Sequence, residues 1–179
     1  MNLFNPYKFS HKGLRYILSK FLVLLGKTDY SNKIELGELQ KIGKELFILL
    51  ESHVKLEETI LLHELGLKIG KDIINDFNQH HELDTIEQKI KANFKNLKEN
   101  STIEQTHLIY LDFSLFYSLY LQHLHEEETK TLKQLQRTFT EDELIQIHLK
   151  VLENIESSHQ LIWNKYILPS VTTNEKKLI

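Results

Sequence analysis

From Leu39 through Ile42, Leu46, Leu49 and Leu50 to Ile60, apolar residues recur at the period of an α-helix and define one inward face. His53 and Glu57 sit inside that stripe. At about 100° per residue, both fall within roughly 20° of its axis. The face that such a helix must bury therefore carries an imidazole and a carboxylate one turn apart. Burying them is costly unless something pairs with them, and a metal ion would satisfy both at once.

The rest of the chain follows the same period. Six glycines and two prolines in 179 residues leave long stretches without a breaker, so an all-α fold is predicted. The first helix should run from about Pro6 to Leu25 and end at Gly26, with His11, Leu14, Leu18, Phe21, Leu22 and Leu25 facing inward. The second starts between Lys33 and Glu38 and continues to about Leu65, where Gly66 stops it. The third spans roughly Lys71 to Leu97, and the fourth follows Asn100–Ser101 and reaches about Gln136. Thr140 and Glu143 form a capping box that opens a fifth helix, running to Leu168 before Pro169; the remaining residues read as a short, partly ordered tail.

Short connections between long helices make neighbours antiparallel, so an up-and-down four-helix bundle is expected over about 6–137. An additional C-terminal helix follows over about 140–168. The fourth helix is apolar nearly all round, through Leu108, Leu111, Phe113, Leu115, Phe116 and Leu119. It is expected to pack on the core with one side and on the fifth helix with the other. No internal repeat, low-complexity tract or second domain is evident, and residues 1–179 read as a single domain.

A net charge of −3 gives no basic surplus for nucleic acid. The absence of cysteine excludes disulfides, iron–sulfur clusters and thiolate zinc sites. Any metal would be held by nitrogen and oxygen, which suits iron, manganese or zinc, and ten histidines supply the nitrogen. The apolar run Tyr16 to Leu25 is broken by Lys20, is too short to cross a bilayer and lacks a cleavage site. A cytoplasmic protein with no membrane segment is the expectation.

Which histidines can meet is decided by face and by height. At 1.5 Å per residue, antiparallel helices bring His53, His80 and His123 to one level within a turn, and His11 joins them if the second helix starts late. His11 lies on the first helix's stripe, His80 at the margin of the third helix's inner face, and His123 and Glu127 continue the row of Ile109, Phe116 and Tyr120. The spacing His123-x3-Glu127 repeats His53-x3-Glu57. Two such pairs and single histidines from two further helices, converging at one depth, make a dinuclear metal constellation of His11, His53, Glu57, His80, His123 and Glu127. His81 is the alternative to His80 if the register slips by one. His107 with Asp112 lies roughly 24 Å from that level, His125 and Glu128 fall off the inward row, and His63 with Glu64 lies at a helix end. His159, on the fifth helix's stripe, reads as a packed histidine bonded to a neighbour.

These residues resemble the hemerythrin-like, or HHE cation-binding, domain over Phe9 to Lys130. The resemblance runs through "FSHKGL", "HVKLEETILL", "QHHELDTIEQKI" and "HLHEEET", and "FTEDELIQIH…WNKYILPSVT" resembles the extra C-terminal helix of some bacterial members. It implies that the six residues hold two non-haem iron ions (zinc or manganese being possible), with Glu57 and Glu127 placed to bridge them. It also implies a small diatomic or peroxide ligand. The oxygen carriers of that family use His-x3-His on the third helix and a carboxylate five residues after the fourth-helix histidine. This chain has neither at the matching level: Asp76 or Asp84 could occupy the missing position, and Glu127 is one residue closer to His123 than that carboxylate. The higher carboxylate content favours oxidised iron over reversible carriage of dioxygen. The expected function is binding or sensing of dioxygen, nitric oxide or peroxide. The alternatives are a di-iron oxidase or peroxidase, an iron-donating repair protein, or a metal-free helical interaction module.

Overall fold

The computed structural model describes residues 4–99 and 101–178, and among them no strand occurs. The first helix, α1, is Lys8–Lys27. Pro6 lies in the turn before it, and Gly26 does not end it. Asn32 caps the next helix, α2 (Lys33–Leu56), by accepting from the amides of Ile34 and Glu35. A π-helical turn, Glu57–Leu61, joins α2 to α3 (Leu62–Ile69). Gly66 is passed over, and the stop comes at Gly70, whose φ of 91° only glycine adopts readily. A 3-10 turn, Lys71–Ile73, precedes α4 (Asp76–Lys95), which therefore starts later than its sequence pattern suggests.

Thr102 and Gln105 form a capping box at the start of α5 (Ile103–Glu126); Asn100, expected near this start, lies outside the described residues. A second π turn, Glu127–Thr131, leads into α6 (Leu132–Thr138). The Thr140–Glu143 capping box opens α7 (Glu141–Glu153), as expected. The fifth helix of the sequence reading is, however, broken at Asn154–Glu156, and α8 (Ser157–Ser170) follows with Pro169 inside its last turn.

The break redirects the chain. α8 packs on α1 and α2, and α7 on the Glu57–Leu61 turn and α6, so neither covers α5 as expected. Leu108, Leu111, Leu115 and Leu119 consequently stay exposed along one face of α5. Gly13 permits the actual arrangement, because a Cβ there would come within 2.9 Å of Ile167 on α8. The segment after α8 folds back on α1 through Glu175, whose carboxylate meets Lys12 at 2.8 Å and Lys8 at 3.2 Å.

α1 packs against α2 and α5, and α5 against α4. Their inward residues form two apolar clusters. The larger contains Leu14, Leu39, Leu46 and edge-to-face pairs of Phe21 with Phe113 and Phe94, at centroid distances of 4.7 and 5.2 Å. Each such ring pair adds about 0.5–1.5 kcal/mol beyond its burial. The smaller contains Tyr7, Leu62, Leu65, Leu132, Leu135 and Phe139. A polar band lies between the two clusters. Among the described residues, no helix is long and apolar enough to cross a membrane.

Candidate metal centre

Each helix passing through the band contributes side chains that break its apolar stripe. α1 brings His11 between Tyr7 and Leu14, α2 brings His53 beyond Leu50, α4 brings His80 before Leu83, and α5 brings His123 after Tyr120. Glu57 and Glu127 are the first residues of the two π turns. All six are buried, with His11 and Glu127 at 0% exposure. Their donor atoms form two groups, His11, His53, Glu57 and Glu127 in one and Glu57, His80, His123 and Glu127 in the other, each with every donor within 4.8 Å of the rest. The two carboxylates belong to both.

The imidazoles turn Nε2 toward the carboxylates. His53 Nε2 lies 3.4 Å from Glu57, His123 Nε2 3.2 Å from Glu127, His11 Nε2 3.4 Å from Glu127 and His80 Nε2 3.5 Å from Glu57. Yet the Nε2 atoms of His11 and His53 and all four oxygens of Glu57 and Glu127 are buried without a hydrogen-bond partner. Six orphaned polar atoms at one point would be expensive in a sealed interior. A cation would remove that cost, and the donor set of imidazole nitrogen and carboxylate oxygen is one that could hold iron, zinc or manganese.

Outer contacts fix the rings. Glu128 lies 3.0 Å from His11 Nδ1, Glu58 3.0 Å from His80 Nδ1, and the Gln79 carbonyl oxygen 3.1 Å from His123 Nδ1. With Nδ1–H donating outward, Nε2 is left as the nitrogen that faces inward, the usual arrangement around a metal-binding histidine. The contacts are reciprocal. Glu58, next to Glu57, holds the histidine of α4, and Glu128, next to Glu127, holds the histidine of α1.

The π turns make this geometry. In both, a threonine two residues after the buried glutamate returns its hydroxyl to the carbonyl four residues back, Thr59 to Lys55 and Thr129 to His125, each at 2.6 Å. Such back-bonding often bends a helix, and the wider π turn often accompanies functional sites. His53–Thr59 and His123–Thr129 thus share the pattern His-x3-Glu-Glu-Thr, an internal repeat that the sequence reading did not find.

Charge in the band is tightly balanced. Burial pulls the His11 pKa down, but the Glu128 carboxylate that accepts from its Nδ1–H, with the nearby carboxylates of Glu57 and Glu127, outweighs it and lifts it to about 9. Burial likewise opposes protonation of His80, and Glu127 and Glu57 lift it to about 11. His53 goes the other way, pushed down by burial to about 4. Burial and the neighbouring Glu127 raise Glu57, but His53, His11 and His80 leave its net pKa below the usual carboxylate range. Glu127, despite its burial, is held well below that range by His123 and His80. The buried hydroxyls of Tyr7 and Tyr120 flank the site, and burial and the two carboxylates keep both protonated.

The other candidates stand apart. Asp76 is buried, but the Thr131 hydroxyl lies 3.0 and 2.9 Å from its two oxygens and it joins neither group. Asp84 is exposed and accepts from Gln88. His81 is exposed beside His80. His107 stacks on Tyr110, Asp112 pairs with Lys89, Glu64 with Lys150, and His159 with Glu156. Glu128, expected off the inward row, joins neither group, but its bonding is not local: it is the partner of His11 and is clamped by Arg15 at 2.8 and 3.1 Å. Glu58 orients His80 in the same way, and the doubled Glu-Glu-Thr after each His-x3 is the sequence signal for both. Comparison with protein-family models, curated proteins and solved structures gave no match.

Proposed function

We propose that this is a non-haem metal protein of the hemerythrin-like kind, an up-and-down helical bundle holding a pair of iron ions for a small ligand such as dioxygen, nitric oxide or peroxide. His11 and His53 would serve one ion, His80 and His123 the other, with Glu57 and Glu127 shared. The observation that carries this reading is the set of buried, unpartnered Nε2 and carboxylate atoms converging between two apolar clusters.

Bound iron would supply open coordination positions and a redox couple for the small ligand. The chain supplies the rest. Glu58, Glu128 and Gln79 orient the imidazoles, the apolar clusters on either side exclude water, and the Tyr7 and Tyr120 hydroxyls remain protonated beside the carboxylates. Because neither Asp76 nor Asp84 joins the groups, the ligand set keeps its two-histidine, two-carboxylate balance on each side. That balance favours sensing or scavenging over reversible oxygen carriage.

Elemental analysis of protein purified without added metal tests the reading. Iron at close to one ion per group, with oxo-bridged charge-transfer absorption, is expected. Metal-free protein whose melting temperature ignores both Fe(II) and chelator would overturn it, since a core site occupied at 1,000 times its Kd adds about 4 kcal/mol, or roughly 10 °C for a chain of this size.

A further inference from the structure

The four helices carrying the site close on one another along α1–α2, α1–α5 and α4–α5. The α2–α4 seam is different. It closes at one end, where Phe94 lies so near Gly43 that a Cβ there would come within 2.4 Å of the ring. At the level of the site it opens into a cleft of about 670 Å³, with Val54 and Glu58 on one wall and His80 on the other. Of the six clustered residues, His80 alone lines it.

The opposite group is covered. Tyr7, 1% exposed, lies against His11 with ring centroids 4.8 Å apart, and Trp163 of α8 lies 6.4 Å from the His53 ring. Arg15 locks Glu128 over the outer edge of His11. Glu58, the counterpart of Glu128, faces the cleft, and among the described residues no lysine or arginine pairs with it. Four carboxylates line the cleft, Glu51, Glu58, Asp84 and Glu87, against the ammonium groups of Lys55 and Lys91.

We infer that the α2–α4 cleft is the route by which a small uncharged ligand reaches the centre, and that it binds on the side held by His80 and His123. This rests on the metal reading above. The acidic lining disfavours anions, and the width at Val54 sets the rate of access.

Nitric oxide binding to the iron(II)-loaded protein, followed by stopped flow, is the test. Val54→Trp should slow binding about tenfold or more with iron content unchanged, while Trp163→Phe on the covered side should leave the rate within about twofold. A Val54→Trp rate equal to wild type, or a Trp163→Phe rate that rises as much as Val54→Trp falls, overturns the inference. Should Val54→Trp not fold, Glu51→Lys with Asp84→Lys, both on exposed positions, takes its place. Azide should then bind the diferric protein about tenfold faster than wild type at low salt, and an unchanged rate overturns the inference. A wild-type protein that takes up no iron overturns the metal reading itself, a result distinct from a loaded protein whose access rates ignore these changes.

Discussion

On the α1–α2 side of the centre, His11 and His53 lie beneath Tyr7, Trp163 and the Arg15–Glu128 ion pair. On the α4–α5 side, His80 and His123 stand behind a cleft, and among the described residues no arginine pairs with the glutamate that orients His80. The donor sets are alike, and both π turns begin at the shared carboxylates. Near-identical chemistry has been placed in one closed and one accessible setting. The difference comes from elements outside the repeat: α8, which covers one side only, and Arg15, which among the described residues has no counterpart on the other.

The largest effect should come from what the two sides share. Glu57→Ala or Glu127→Ala should abolish loading of both groups, whereas His53→Ala and His123→Ala should each impair one, as read by metal analysis after gel filtration. Equal losses from all four would mean that the two groups act as one site.

Protons sharpen the comparison next. His11 and His80 are raised above their ordinary value, so their ion pairs stabilise the metal-free fold fully below about pH 6.5, and that contribution is lost as pH rises through about 9 and about 11. A metal must displace those protons, while His53, depressed to about 4, has none to give up at neutral pH. Affinity for Co(II) should therefore rise between pH 7 and 9, by about tenfold per unit for each proton displaced. Calorimetry in buffers of different ionisation enthalpy counts the protons, and a flat profile would contradict this charge balance.

The apolar end offers a contrast with the site. Gly43→Ala drives a methyl into Phe94 and Phe21 and should cost about 1–3 kcal/mol in chemical denaturation while leaving metal content unchanged. Loss of metal in that variant would mean that the site depends on the α2–α4 seam being closed at Phe94.

The outer contacts come last, and the smallest effect is that of Arg15. Glu58→Gln and Glu128→Gln should each lower metal affinity by about 10–100-fold. Arg15→Ala should weaken only the His11 side, by a smaller factor, because its ion pair is partly exposed. An Arg15→Ala effect matching that of Glu128→Gln would show that the clamp, and not the hydrogen bond to His11, holds the ring.

The six buried residues were legible in the sequence because α1, α2, α4 and α5 keep a regular period up to Glu57 and Glu127, so face and height could be read from spacing. Glu58 and Glu128 were hidden by the π turns. The wider turn shifts the phase of everything after it, bringing inward residues that a regular helix would leave off the row. The fate of the fifth helix was hidden differently. Nothing in Asn154–Glu156 is a strong breaker, and the small residue that admits α8 to α1 is Gly13, about 150 positions away in sequence and silent until the two helices meet. Leu108, Leu111, Leu115 and Leu119 looked like a surface awaiting a helix, and α5 keeps them exposed.

Anomalous scattering at the iron edge, from crystals of protein loaded with Fe(II), addresses the central claim most directly. Two separate peaks are predicted, one beside the imidazoles of His11 and His53, the other beside those of His80 and His123, with the carboxylates of Glu57 and Glu127 reaching both. No peak within this polar band, or imidazoles swung outward around an interior filled only by water, would contradict the account.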